Sequence, residues 1–258
     1  MENLLKNKLE SGQIVFGSFN WTASTMVTEC FGHAGLDYAI IDAEHSPIDT
    51  EGAVNMVRAA KVQGLSPIIR AKDCTRPGIL KMLDLGAEGL IVPNLRRVDE
   101  VKTLVDFGKY PPIGRRGFAQ GRRAGFGFDE SARDIDEYLR ASNELTLLLP
   151  MCETVDMLEH IEEAAAVEGV DGIYVGPFDL SLDMGIPGRF DRPEFIDALK
   201  RIEAACRAAN KFSFIFSSSP EAAVKHIKLG YQAPTLGIDA AMLIHAYQDA
   251  LSKVKSEL

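Results

Sequence analysis

Short runs of apolar, β-favouring residues alternate with longer amphipathic stretches from one end of the chain to the other. The runs fall at 14–19, 38–42, 67–70, 89–93, 145–152, 172–175, 212–216 and 233–237. They are continuous in hydrophobicity rather than alternating, the pattern of strands covered on both faces. Between them, segments such as 51–63, 77–85, 154–168, 193–209 and 220–229 repeat apolar residues at helical spacing, as Phe195, Ala198, Leu199 and Ile202 do. Eight strand–helix units in 258 residues predict an α/β fold, a single (β/α)₈ barrel domain spanning 1–258. A doubly wound open sheet is the runner-up, and it lacks support because no strand is followed by a dinucleotide-binding glycine fingerprint.

Three helix starts are specified by local chemistry. Thr75-Arg76-Pro77 puts proline where its missing N–H costs least. Asp191-Arg192-Pro193-Glu194 offers Asp191 as an N-cap, and Ser219-Pro220-Glu221 repeats the pattern. The stretch 110–129, rich in Gly, Arg, Pro and Phe, is too long for an ordinary connection, and its length predicts a functional loop. Its arginines, Arg115, Arg116, Arg122 and Arg123, read equally as a grip for a small anion or as a solvated loop.

Composition narrows the function classes. With 46% hydrophobic and 25% charged residues the chain can bury a large core. A net charge of -9 argues against a nucleic-acid partner. No apolar run approaches the ~20 residues of a membrane span, and residues 1–17 carry no apolar core of signal-peptide length. Cys30, Cys74, Cys152 and Cys206 are scattered without metal or disulfide spacing, so the expected setting is a reducing cytoplasm.

In a (β/α)₈ barrel the chemistry sits at the C-terminal strand ends, and polar residues do collect there. The second strand runs into Asp42-Ala43-Glu44-His45, the third ends at Arg70, and the fifth meets Glu153. The sixth runs into Gly176-Pro177-Phe178-Asp179, and the seventh and eighth end near Ser217 and Asp239. Glu153 and Asp179, at consecutive strand ends, can converge on one cation. Two carboxylates, with the remaining positions left to water and substrate oxygens, suit Mg²⁺ or Mn²⁺, and such a cation stabilises an enolate as a Lewis acid. Taken singly, each acid also reads as a helix cap. The Gly176-Pro177 turn exposes backbone N–H groups that can hold a carboxylate. Arg70 can fork onto a carboxylate or an enolate oxygen, or pair with a nearby acid. His45, alone among five histidines in lying just beyond a strand, reads as a general base or an oriented core histidine. His33, His160, His226 and His245 fall in helical segments and read as structural. A Schiff-base route needs a strand-end lysine; only Lys72 comes near one, so the metal route is favoured.

These motifs resemble the HpcH/HpaI family of class II, pyruvate-dependent aldolases, which includes hydroxy-oxoheptanedioate and dehydro-deoxyglucarate aldolases. The likeness runs over nearly the whole chain. It rests on Gly35-Leu36-Asp37-Tyr38, Ile41 to Pro47, Arg70, Leu83-Asp84-Leu85-Gly86-Ala87, Ile91-Val92-Pro93, Tyr110 to Gly114 with Arg116-Gly117, Glu153-Thr154, and Gly169 to Ser181. The resemblance implies a barrel of the phosphoenolpyruvate/pyruvate type and a divalent metal (Mg²⁺ or Mn²⁺, with Co²⁺ a third candidate) on Glu153 and Asp179. The Gly176–Asp179 turn, including Pro177 and Phe178, would hold the pyruvate carboxylate, and Arg70 would contact its oxygens. His45 would handle the proton with Asp84, and Asp42 would support that histidine or the aldehyde side. It further implies a homo-oligomer, a hexamer or another multiple of a dimer, with the helix from Asp239 packing on a neighbour. One departure stands out: aldolase members commonly carry glutamine two positions before the metal-binding glutamate, and this chain has Met151. By strand alternation Met151 points the same way as Glu153, so a thioether stands in or near the substrate site.

The expected activity is therefore reversible cleavage of a 4-hydroxy-2-oxo acid into pyruvate and an aldehyde, as in aromatic or sugar-acid catabolism. Two rivals are an acyl-coenzyme A lyase of the citrate-lyase type and a catalytically silent barrel that binds an oxo acid.

Overall fold

The structure is a computed structural model that describes residues 2–258. Eight parallel strands close a barrel in sequence order: β1 Gly17–Asn20, β2 Tyr38–Asp42, β3 Ser66–Arg70, β4 Gly89–Val92, β5 Leu147–Cys152, β6 Gly172–Val175, β7 Phe212–Ser217 and β8 Ala233–Ile238. The open-sheet alternative is excluded by the β1–β8 pairing.

Strand alternation divides the core into two layers. Inward residues such as Ile40, Ile68, Ile91, Leu149, Tyr174 and Phe214 fill the barrel. Outward residues such as Ile41, Ile69, Leu90, Leu148 and Cys152 pack against the helices. Both layers are close to fully buried, which is why the strands read as unbroken apolar runs. The helix Leu4–Glu10 contributes Leu5 and Leu9 to the inner layer. Leu5 N–H donates to Ser66 Oγ and the capping Asn3 to the Glu88 carbonyl, at the strands' N-terminal ends, so the helix plugs that mouth.

The expected boundaries shift where local signals compete. The strand expected at 14–19 pairs only over Gly17–Asn20, and the one expected from 145 begins at Leu147 because the amphipathic helix Ile135–Leu145 runs up to it. The helix expected at 154–168 is two, Val155–Glu159 and Ile161–Ala166, broken at His160. Thr75 and Ser219 cap their helices through Gly78 N–H and Ala222 N–H. Asp191 does not: the N-cap of Pro193–Ala208 is Arg192, with no side-chain cap bond.

The stretch 110–129 is corrected more substantially. It leaves the helix Val98–Gly108 and leads through Ile135–Leu145 into β5, so it lies at the N-terminal mouth of its own barrel. Arg122 and Arg123 donate to the carbonyls of Leu85 and Ala87 just before β4. Arg115 forks onto Asp106, and Arg116 donates through Nη2 to Asp84 Oδ1. The arginines pin the loop to the barrel base, so neither the anion grip nor the freely solvated loop describes it. Among the described residues no helix is long and apolar enough to cross a membrane, and all four cysteines are free.

Candidate active site

The C-terminal mouth is built by strand ends whose inward parity carries polar side chains up to the rim. β2 and β3 pair with Asp42 opposite Arg70. Both side chains point inward above Ile40 and Ile68. Arg70 forks onto Asp42, Nε to Oδ1 at 2.8 Å and Nη2 to Oδ2 at 2.6 Å. Its guanidinium lies 4.8 Å from the centre of the Phe19 ring. Burial works against the charge, but the Asp42 bonds and the charges of Asp42 and Glu44 outweigh it, and the net pKa shift is upward. Arg70 therefore does both things its position allowed: it pairs with an acid and presents fixed positive charge to a cavity.

After β2 the chain turns sharply, and Asp42 Oδ1 accepts from the N–H groups of Glu44 and His45. That turn aims Glu44 back over the mouth. Its Oε2 lies 3.1 Å from Arg70 Nη1 and 3.7 Å from His45 Nε2, yet neither contact is aligned as a hydrogen bond and the atom is sealed. The attraction is electrostatic rather than directional. His45, with its side chain 53% exposed and its ring 6.3 Å from that of Trp21, is no core histidine.

Glu153 follows β5 and is only 7% exposed. Its Oε1 accepts from Asn94 N–H at 2.6 Å, an amide presented by the left-handed backbone of Asn94, at φ 53°. Neither catalytic-candidate carboxylate is a cap: Thr154 caps the next helix through Met157 N–H, and Gly176 occupies the N-cap position of Pro177–Asp183. Asp179 stands exposed in that helix's first turn. A Cβ at Gly176 would lie 2.6 Å from Met151 Cε and 2.8 Å from Glu153 Oε2, so any larger residue there would push these two side chains from their places.

Two adjoining cavities open here. One is lined by Glu44, His45, Asn94, Arg96, Glu153, Asp179 and Asp183. The other is lined by Phe19, Trp21, His45, Arg70, Met151, Gly176, Asp179, Phe216 and Ile238. His45 and Asp179 border both. Burial pushes Glu153 up to about 7; the charges of Asp179 and Glu44 add to this, while the Asn94 N–H and Arg70 oppose it. Glu44 is raised too, first by burial and then, against Arg70, by Asp42 and Asp179. Hard oxygen donors gathered around one cavity, with Glu153 and Glu44 raised in pKa first by burial and then by neighbouring carboxylates, fit a divalent cation. Among the described residues no group of three or more His, Cys, Asp or Glu is placed to hold an ion.

Of the residues singled out in the sequence, Glu153, Asp179, Arg70, His45, Met151 and the Gly176–Pro177–Phe178 turn come together. Asp42 is present but fully buried beneath the rim, where it accepts from Arg70 and from the N–H groups of Glu44 and His45 and so holds the turn that carries the histidine. Asp84 is not brought to this mouth. It ends the helix Arg76–Asp84, which runs back toward the start of β4, and it accepts from Arg116. A His45–Asp84 pair therefore does not form within one chain. Ser217 binds His226 Nδ1, and Asp239 clamps the N–H groups of Trp21 and Thr22, so both are scaffold. Sequence reasoning assigned no role to Glu44, although it lies inside a singled-out motif. Asn94, Phe19, Trp21, Phe216 and Ile238 carried no chemical signal; inward strand parity was the only available clue to Phe19 and Phe216.

The HpcH/HpaI aldolase/citrate lyase family matches residues 16–246. A hydroxypyruvate/pyruvate aldolase of Roseobacter denitrificans is 32% identical, over 98% of this chain and 97% of its own. A 4-hydroxy-2-oxo-heptane-1,7-dioate aldolase of Shigella sonnei is 29% identical over 95% and 92%. The solved structure of an HpcH/HpaI aldolase/citrate lyase family protein from Burkholderia cenocepacia J2315 superposes with a TM-score of 0.91. It is 29% identical and covers 98% of this chain and 100% of that one.

Proposed function

This chain belongs to the HpcH/HpaI aldolase/citrate lyase family, and from that premise we propose that it is a divalent-metal-dependent pyruvate aldolase. It cleaves a 4-hydroxy-2-oxo acid into pyruvate and an aldehyde, and runs the addition in reverse. The observation that carries this reading is the meeting of Glu153, Asp179, Arg70 and the Gly176 turn at one barrel mouth. The names of the Roseobacter and Shigella relatives agree with it.

Glu153 and Asp179 would hold the cation, Mg²⁺, Mn²⁺ or Co²⁺. When bound, it supplies Lewis-acid stabilisation of negative charge on the 2-oxo oxygen. The N–H groups at the start of Pro177–Asp183, in the Gly176–Asp179 turn, receive the substrate carboxylate. Arg70, locked by Asp42 and therefore needing little reorganisation, sets positive charge beside the developing enolate oxygen. His45 takes the proton of the 4-hydroxyl as the C3–C4 bond breaks. The bonding pair passes to C3, the aldehyde leaves, and protonation of C3 gives the pyruvate methyl. Glu44, with its raised pKa, lies between Arg70 and His45 and is placed to hold or pass that proton. Met151 puts a thioether against this site where the family resemblance implies an amide, which leaves orientation of the oxo acid to Arg70 and the turn.

The whole of 1–258 acts as one barrel domain in a cytoplasmic homo-oligomer, a hexamer or other multiple of a dimer. Neither nucleic acid nor membrane is a partner. The outward apolar stripe of Asp239–Ser256 supports the oligomer, and the free cysteines suit a reducing compartment. The test is cleavage of 4-hydroxy-2-oxopentanoate and 4-hydroxy-2-oxoheptanedioate, with released pyruvate followed by lactate dehydrogenase and NADH. Pyruvate should appear with Mg²⁺ or Mn²⁺ and stop on chelation. Release unaffected by chelator would contradict the metal-dependent route.

A further inference from the structure

A second cavity of about 750 Å³ lies between the helices Pro193–Ala208 and Pro220–Lys228. Its walls are dominated by Phe178, Phe190, Phe195, Phe216, Leu199 and Leu229. Phe195 and Leu199 are buried, whereas Phe178 and Phe190 stand 57% and 41% exposed. Two open aromatic rings flanking a groove are costly to leave in water and mark a binding surface.

The groove adjoins the candidate active site and shares a wall with it. Pro177, Phe178 and Phe216 line both. A path of ring contacts also joins them: Arg70 sits over Phe19, and Phe19 lies 5.9 Å from Phe216. Beyond Phe216 the groove opens toward Phe190, whose ring is 5.4 Å from that of Phe195. The other way out of the site is polar, running past Glu44, Arg96, Glu153, Asp179 and Asp183, and no Phe, Tyr or Trp lines it. At the groove's rim Lys225 and Lys228 are balanced by Asp191 and Glu221, so nothing there selects a distal anion.

We propose that this groove receives the body of the acceptor aldehyde, and that the preferred acceptors are aldehydes bearing an aromatic ring. The inference rests on the aldolase reading and adds its substrate class. The aldehyde carbon lies near Arg70 and His45, while the ring passes Phe216 and packs edge or face against Phe178 and Phe190.

The test compares kcat/KM for addition of pyruvate to benzaldehyde and to glyoxylate, in the unaltered protein and in Ala222→Trp and Ile196→Glu. These substitutions place bulk or charge in the groove from its two helices. Benzaldehyde should be preferred by about tenfold or more, the equivalent of about 1.4 kcal/mol. That ratio should fall about tenfold in each variant. A preference for glyoxylate in the unaltered protein, or a ratio that neither variant moves, overturns the proposal. So does a change in sedimentation with the ratio unmoved, which would give the groove to a second copy of the chain. Exchange of pyruvate methyl protons in D₂O separates the two levels. Exchange with an unmoved ratio defeats the groove assignment alone, whereas no exchange defeats the aldolase reading beneath it.

Discussion

Glu153 sits where burial and two neighbouring carboxylates all oppose its charge, with only the Asn94 N–H and Arg70 in its favour. Its pKa rises from 4.5 to about 7, so the sign of its effect on stability is set. The folded state binds this proton more tightly than the unfolded chain does. The protonated form's contribution is fully present below pH 4.5 and is lost as the pH rises through about 7. In metal-free protein, Glu153→Gln should therefore be more stable than the unaltered chain at pH 8, by on the order of 3 kcal/mol. The two should converge toward pH 4.5. Thermal unfolding in chelator at both pH values checks this, and added Mg²⁺ should stabilise only the unaltered chain at pH 8. The residues legible in the sequence, Glu153, Asp179, Arg70 and His45, are those whose chemistry coincides with a strand end. Asp84 lies at the opposite mouth of its own barrel; a motif does not say at which end of the barrel it stands. The aromatic wall was invisible because Phe19 and Phe216 look like any other core residues until the barrel closes.

The helix Asp239–Ser256 carries an apolar face that its own barrel does not cover. Leu243, Tyr247, Leu251 and Val254 recur at helical spacing on one face and are 56%, 66%, 55% and 59% exposed. A stripe of this kind on an 18-residue helix needs a covering surface. In the proposed homo-oligomer a second copy would supply one. Leu251→Asp should lower the sedimenting mass while leaving the far-ultraviolet circular dichroism of the barrel intact; an unchanged mass would remove this helix from the assembly. Elsewhere the elements were well marked. The strands' centres followed from unbroken apolar runs, because a barrel strand is covered on both faces. Their ends did not, since Ile14 and Val15 are as apolar as the strand they precede. The break at His160 was hidden too: the segments Val155–Glu159 and Ile161–Ala166 share one helical pattern across it.

At the scale of the molecule, stability and chemistry occupy opposite mouths. The N-terminal mouth is closed by Leu4–Glu10 and by the arginine-pinned loop, and buried Lys109 ties it together by donating to Asn143, Thr146 and Asp171. The C-terminal mouth is left with crowded carboxylates, an anchored guanidinium and an open aromatic groove. That division is what a (β/α)₈ enzyme requires, and the central claim is that enolate chemistry takes place at the open mouth. The most direct measurement is loss of the pyruvate methyl signal by NMR in D₂O, with Mg²⁺ or Mn²⁺, with chelator, and with Glu153→Ala. The account predicts exchange that requires the metal and is lost in the variant. Absence of exchange with every metal, or equal exchange in Glu153→Ala, would contradict it.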